Sequence, residues 1–445
     1  MPLSMPSSSL APAPAPTPTP TPDLAPRPSP ARRAVDSDRR RTSASAILRS
    51  VLAHGPVARS TIARLTGLSP ASVTDHCNRL TALGLIQEAA TLRRSNGVGR
   101  PHVPVDLDDS RFVVGGVHVA VPYTTVALLD LRGRVVAERR LNHGDSNQPA
   151  SAPAASAPAH VLANAAAGLR ALLAAAPDRV PLGVGLATGG WVDRDSGTIV
   201  EHPLLGWRDV RAREVIHTLT GLPVHVDGHA RALVNGERLF GRTAGAGRSV
   251  LHLFVGNVVD AAFATHDEVH HGPRSQAGAI AHLPLAGGTE LCDCGRTGCL
   301  QAELSERTLC GRAREAGVIR TSDPMHILAA AAADDPVAVR LLLHRARMVG
   351  RAAGLLLDVL NPDTVVVTEM GAVHREDCLA ALREEVGPDR AAAVVPTSFP
   401  DSVLAVAGGS VALDVLYRDP LSAPSSTPPI KSSATRSSAA SPGTI

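Results

Sequence analysis

The chain has 445 residues, 44% of them apolar but only 2% aromatic, so any core must be built mainly from Ala, Val and Leu. That length allows two or three domains, and no apolar run reaches the roughly 18 residues that would span a bilayer. The formal net charge of +3 excludes little by itself, but ten arginines and only two acids, Asp75 and Glu88, lie between Arg39 and Arg100. So local an excess marks either a nucleic-acid contact or a solvated basic face. The N-terminus shows no signal-peptide pattern, and the six cysteines show no secreted disulfide framework, which predicts a cytoplasmic protein.

Residues 1–42 are rich in proline and then basic, and are expected to stay unfolded. Residues 43–107 read as three short helices and a hairpin. The first carries Ile47, Leu48, Val51 and Leu52 on one stripe and ends at Gly55-Pro56. The second spans about Arg59–Thr66, with Ile62 and Leu65 inward and Gly67 as its stop. The third opens with Ser69 as N-cap and Pro70 at the first helical position, and buries Val73, Cys77 and Leu80. Its opposite face presents Ser72, Thr74, Asp75, Asn78 and Arg79. After Gly84, strands near Leu85-Ile86 and Val103–Leu107 flank a loop holding Arg93, Arg94 and Arg100.

This is a winged helix-turn-helix pattern. A capped helix of this kind can enter the major groove, with Ser69, Ser72, Thr74, Asn78 and Arg79 toward the DNA and the basic loop on the backbone or in the minor groove. The competing reading is a three-helix bundle for protein contacts. Residues 111–418 then alternate strand and helix patterns, which predicts a mixed α/β architecture. Expected strands lie at Val113–Asp130, Val135–Ala137, Leu182–Ala187, Val224–Val226, Leu251–Val255 and Val365–Thr368, with long helices over Val161–Ala175 and Val337–Val359. The stretch Asp145–Pro158 reads as a surface loop, and residues 419–445 as an unfolded tail.

The sharpest chemical signal is Cys292-Asp-Cys294-Gly295-Arg-Thr-Gly298-Cys299. Three thiolates this close, with glycines allowing a tight turn, can wrap one tetrahedral ion, and His282 upstream completes a Cys3His set. A closed site of that kind holds structural Zn2+ rather than activating water. Cys77, Cys310 and Cys378 sit in helical patterns and read as core.

Taken together, these residues resemble the ROK (repressor, open reading frame, kinase) family over about residues 45–415. The markers are the winged module ending in Gly99-Arg100-Pro101, the strand Leu128-Leu129-Asp130-Leu131-Arg-Gly133, Leu205-Gly206-Trp207-Arg208-Asp209, Gly221-Leu222-Pro223 and the cysteine loop. The resemblance implies a two-lobed actin-like ATPase fold, with the zinc loop at 282–301, in a homodimer or homotetramer. Kinases of the family carry an acid and a Gly-rich turn in the first strand, where this chain reads Val117-His118-Val119-Ala120-Val121-Pro122. Their second phosphate loop falls on Gly256-Asn257-Val258-Val259-Asp260, and their Asn-Asp pair on Gly228-His229. Their hexose-holding positions fall on Gly228, His229, Ala279, His282 and Gln301, of which only His282 keeps the family's residue. No ATP binding is therefore expected. The residues left to hold a ligand are Gly189, His229, His282 and Gln301, and any effector is expected not to be an ordinary hexose. The resulting expectation is a nucleoid-associated, sequence-specific DNA-binding regulator that represses carbohydrate-related genes from a double-stranded operator. The alternatives are an ATP-dependent sugar kinase with an appended DNA-binding domain, and a DNA-binding scaffold that needs no ligand.

Overall fold

The computed structural model describes residues 30–89, 103–143, 157–244, 249–266 and 268–423. The chain separates into two units, Met1–Arg40 and Arg41–Ile445. Residues 30–40 of the first open helix α1 (Pro30–His54), where the sequence predicts no structure before residue 43. Pro30 at the first helical position and an Ala/Arg-rich stretch favour a helix locally.

In the second unit, α1 buries Ile47, Leu48 and Val51, with Leu52 partly buried, and ends before Gly55-Pro56. Helix α2 (Arg59–Thr66) stops at Gly67, whose φ of 69° is left-handed. In helix α3 (Pro70–Ala82), Ser69 Oγ accepts the Ser72 N–H at 3.2 Å, and Val73, Cys77 and Leu80 are buried. Leu65, predicted to point inward, is 44% exposed. The core under α2 is closed by Ile62, and Leu65, in the last turn of a short helix, lies past its edge. Strands β1 (Ile86–Glu88) and β2 (Val105–Leu107) pair antiparallel with Ile86 opposite Leu107. The predicted loop arginines Arg93, Arg94 and Arg100 lie outside the described residues.

The rest of this unit contains two sheets of like design. The first part comprises β3 (Phe112–Val119), β4 (Tyr123–Leu129), β5 (Val135–Asn142), α4 (Pro158–Ala174), β6 (Val180–Thr188), β7 (Trp191–Asp193), β8 (Thr198–His202), β9 (Trp207–Val210), α5 (Ala212–Thr220), β10 (Val224–Gly228) and α6 (His229–Phe240). The second comprises β11 (Val250–Val255), β12 (Val259–Thr265), β13 (Glu268–Val269), α7 (Leu300–Leu304), α8 (Glu306–Glu315), α9 (Met325–Ala332), α10 (Pro336–Leu360), β14 (Thr364–Glu369), α11 (Met370–His374), α12 (Glu376–Val386), β15 (Val394–Pro396) and α13 (Val403–Arg418). The sheet orders are β10-β6-β3-β4-β5 and β13-β12-β11-β14-β15. In each, three strands form an antiparallel meander and two more join in parallel after helical crossovers. The strands β7, β8 and β9 make a small separate sheet.

Helix α13 returns from the second part to lie across β3 and β6. The approach is close because glycines meet glycines. A Cβ on Gly116 would stand 2.7 Å from the Gly409 nitrogen, and one on Gly408 would stand 2.6 Å from the Val117 nitrogen. At the far end of α13, the Tyr417 hydroxyl donates to the Leu131 carbonyl at 2.6 Å, and Ser45 Oγ donates to the Tyr417 carbonyl at 2.6 Å. One continuous core therefore joins Ile47 and Leu48 of the N-terminal module to Phe112, Leu131, Leu413 and Tyr417. Order also passes the expected boundary at 419, since Pro420 is buried and Leu421 packs on this core.

Substitution at the glycine contact should thus be far costlier than at a helical glycine with open space around it. We expect Gly408→Val to lower unfolding free energy by about 3 kcal/mol or more through backbone overpacking. Gly354→Ala in α10, where a Cβ meets nothing within 4 Å, should instead raise stability by about 0.5–1 kcal/mol. Urea unfolding of the two variants checks both signs.

Candidate functional site

Three groups of residues carry chemistry. The first is the outer face of α3. Ser69, Thr74, Asp75, Asn78 and Arg79 are exposed and Ser72 is half-buried, as the helical spacing predicts. Thr74 Oγ1 donates to the Pro70 carbonyl at 2.9 Å, so its hydroxyl is partly committed to the helix. Arg79 Nε lies 3.1 Å from Asp75 Oδ2 across one turn. An exposed pair of this spacing is worth only about 0.3–0.5 kcal/mol, so the guanidinium is readily given up to a stronger partner.

The second group is the cysteine loop. The Cys292 N–H donates to the Arg296 carbonyl and the Gly295 N–H to the Cys292 carbonyl, both at 2.8 Å, folding the loop back on itself. Gly295 and Gly298 sit at φ of 82° and 76°, which side chains with a Cβ rarely adopt. This turn brings His282, Cys292, Cys294 and Cys299 together, with ligand atoms all within 4.8 Å of one another. Cys294 Sγ to Cys299 Sγ is 3.6 Å, and Cys292 Sγ to His282 Nδ1 is 3.5 Å. Thiolates bound to one tetrahedral ion at about 2.3 Å stand about 3.8 Å apart, so the donor set and its spacing fit a metal ion. Hydrogen bonds from Arg296 bring the exposed Cys294 thiol down to about 6, while burial pushes Cys299 up to about 11. A bound cation is what would let the second thiol ionise where it sits.

The third group lies where the strand ends of the two sheets meet, and sequence reasoning saw only part of it. His229 opens α6 and is 3% exposed. Its Nδ1 lies 3.4 Å from His118 Nε2 on β3, and its Nε2 lies 3.0 Å from Asp260 Oδ2 on β12. The two imidazoles stack with 9° between their planes, and Phe254 covers the other side of His229 at 4.1 Å. His202 and His252 are also buried nearby; His202 Nδ1 caps the Leu205 N–H, and His252 Nε2 pairs with Thr368 Oγ1. Desolvation, then the neighbouring imidazoles, holds His118 well below the ordinary range. The same causes bring His202 to about 4 and His252 to about 3. These residues were legible as single histidines in apolar strands (Val-His-Val, Leu-His-Leu) but not as neighbours.

The remaining predicted ligand positions fall differently. Gly189 is buried with Val258 filling the space its Cβ would take. Gln301, predicted to face a ligand, is instead committed to the backbone. Its Oε1 accepts the Val259 N–H at 2.9 Å and its Nε2 donates to the Asn257 carbonyl at 2.6 Å. With a neutral amide in place of a carboxylate, both ends of the side chain find main-chain partners in the 257–259 turn, which holds that turn closed. Beside it, Asn257 Nδ2 donates to Glu306 Oε2 at 3.0 Å, and desolvation pushes the Glu306 carboxyl up. His282 faces Cys292 through Nδ1 and belongs to the Cys/His cluster.

The model of the ROK family matches residues 114–401. A transcriptional regulator of Mycobacterium tuberculosis is 33% identical over 400 residues, covering 86% of this chain and 87% of the relative. A xylose repressor of Caldicellulosiruptor bescii is 24% identical over 356 residues, covering 76% and 86%. Among solved structures, a ROK family transcriptional regulator homologous to the E. coli MLC protein superposes with a TM-score of 0.64 at 20% identity, covering 86% of this chain and all of that one.

The buried histidines yield a pH signature. Groups held neutral in the fold protonate on unfolding, so the unfolded chain binds more protons once pH falls below about 6.5. Stability is then full above that pH and is lost as pH drops toward the folded values near 4 and 3. His118, His202 and His252 together should give a slope of up to about 4 kcal/mol per pH unit near pH 5. His252→Leu should reduce that slope by about a third, as measured by denaturant unfolding from pH 7.5 to 5.

Proposed function

The chain belongs to the ROK family and is a transcriptional regulator, and we propose that it represses carbohydrate-related genes by docking α3 into the major groove of an operator. The observation that carries this reading is the Ser69-capped helix α3, with Thr74, Asn78 and Arg79 on its free face and Val73, Cys77 and Leu80 fixing its other face in a core shared with the ROK domain. Two copies of the chain, as a homodimer or within a homotetramer, would set two such helices on paired half-sites at the nucleoid. Arg93, Arg94 and Arg100 would add phosphate contacts from the segment between β1 and β2.

The cleft group supports a domain without kinase chemistry. Where a kinase of the family needs a free carboxylate as base, His229 is enclosed by His118, Asp260 and Phe254. Where it needs a cradle for phosphate, the 256–260 turn carries Asp260 and holds Glu306, two carboxylates that repel a polyphosphate. Gln301, turned to the backbone, offers no ligand contact, which supports an effector other than an ordinary hexose. Calorimetry showing micromolar binding of glucose or N-acetylglucosamine would overturn that part of the reading. ATP-dependent phosphorylation of glucose by the purified chain would overturn the whole of it.

For the DNA interface, Arg79→Ala should weaken operator binding about tenfold or more if the guanidinium reads a base edge. If it contacts phosphate, the loss should be uniform across sequences and the salt slope should fall by about one. Asp75→Asn, which frees Arg79 from its pair, should tighten binding. Mobility-shift titrations on genomic fragments at several salt concentrations check all three, and unchanged binding in both variants would remove α3 from the groove.

The ion in the cysteine loop is, on this reading, structural Zn2+ held by His282, Cys292, Cys294 and Cys299. Mass spectrometry of metal content should find one zinc per chain in the purified protein. Cys299→Ser should bring this close to zero and lower the melting temperature, and acidification should release the metal as its ligands protonate.

A further inference from the structure

A cavity of about 190 Å3 lies beside the free edge of the first sheet, where β10, α6, α13 and the β7–β8 turn meet. None of His118, His229, Asp260, Gln301 or the cysteine-loop ligands lines it. On β10, Val224 and Val226 point into one apolar core while His225 and Asp227 face the opposite way, as strand alternation requires.

The polar groups around this space are not all satisfied. Asn235 is 3% exposed, and its Oδ1 has no hydrogen-bond partner among the described residues. Asp227 is buried against Arg231, whose Nε lies 2.6 Å from its Oδ1. Asp414 is buried against Arg418, at 2.8 Å, with Arg194 Nη2 at 3.7 Å. Arg231 and Arg418 thus balance the two buried carboxylates. With Arg194, Arg213 and the exposed Asp195 counted as well, four guanidiniums meet three carboxylates, a surplus of one positive charge, and Arg194 Nη1 also lies 2.9 Å from His271 Nε2. Among the described residues Arg213 donates only to the Asp195 and Arg194 carbonyls, at 2.7 and 2.6 Å, so no carboxylate there pairs with it. Desolvation first, then Arg213 and Arg194, holds His225 below its ordinary range, so it stays neutral and adds no charge. Ala232, Val411 and Val415 supply an apolar wall.

We propose that this cavity is a second ligand site that takes a small hydroxycarboxylate of three or four carbons. The carboxylate would meet Arg194 and Arg213, a hydroxyl would donate to Asn235 Oδ1, and the carbons would lie against the valines. The volume suits roughly seven to nine heavy atoms, since a cavity of about 150 Å3 holds benzene. Asp414 and Val415 stand within one helical turn of Tyr417, whose carbonyl receives Ser45 of α1. Occupancy at this end of α13 therefore acts on the joint that holds the DNA-binding module. That last link rests on the regulator reading, whereas ligand binding does not.

Isothermal titration of the full chain, without DNA, with D-glycerate and L-threonate tests the site, using glycerol and propionate as probes that lack the carboxylate or the hydroxyls. Sub-millimolar binding of one hydroxycarboxylate is expected, at least tenfold tighter than either control, and weakened at least tenfold by Arg194→Gln and by Asn235→Leu. Should the buried Asn235→Leu fail to fold, the half-exposed Arg194→Gln decides alone. Absence of heat with all four probes means a cavity that holds water only and overturns the proposal, as does equal binding of glycerol. Affinity unchanged in the folded variants places any binding elsewhere and overturns it too.

Discussion

The contact on which most of this structure depends is the seat of α13 on the first sheet. Gly408 lies against Gly116 and Gly185 so closely that backbone meets backbone, and Gly409 leaves the space that the Leu129 side chain fills. Dispersion and area burial are gained along the whole helix only if all four positions lack a Cβ. The remainder of α13 then falls into place. Ser410 and Val406 reach α6, Leu413 and Tyr417 reach the core of the winged module, and Asp414 faces the edge cavity. A helix from the C-terminal end of the described chain thereby ties the N-terminal helices α1–α3 to the sheet beside it.

Much of the architecture was legible because its elements obey simple periods. The bounds of α2, the Ser69 cap and the burial of Val73, Cys77 and Leu80 follow from spacing, and so do the apolar strands β3, β4, β6, β11 and β14. What escaped notice has physical reasons. Twelve of the sixteen residues of α13 are buried, so the helix has no polar stripe to mark it, and its glycines argue locally against a helix. The strands β7, β8 and β9 have only three to five residues each, too few for alternation to show. The start of α1 was missed because a Pro-rich context outweighed a short run of good helix formers.

The sites divide along the same line. The cysteine loop was readable because its three thiols lie within eight residues and the turn that gathers them is local. The histidine cluster draws on β3, β8, α6 and β11, residues spread from position 118 to position 252, and only the fold reveals it. Gln301 shows a different failure. Inheriting a role by position assumed that the side chain kept its direction, but an amide can satisfy both its ends on the neighbouring turn where a carboxylate could accept only. Losing the charge thus also removed the reason to face a ligand.

The position of negative charge around His229 bears on how such a domain can still signal. The acid expected at the start of α6 is replaced by an imidazole, yet a carboxylate remains 3.0 Å away in Asp260, on the turn where a phosphate cradle would need neutral backbone donors. The charge has in effect crossed from the α6 side of the cleft to the β12 side. It bridges elements of the two sheets through His229 and His118. His229 thus links Asp260 of one sheet to His118 of the other, and the N-terminal helices share a core with Phe112 and Tyr417. On the proposed reading, a ligand that alters operator affinity would act by shifting α13 or by rotating one copy of the chain against another, because the joint at Tyr417 is itself part of the packed interior.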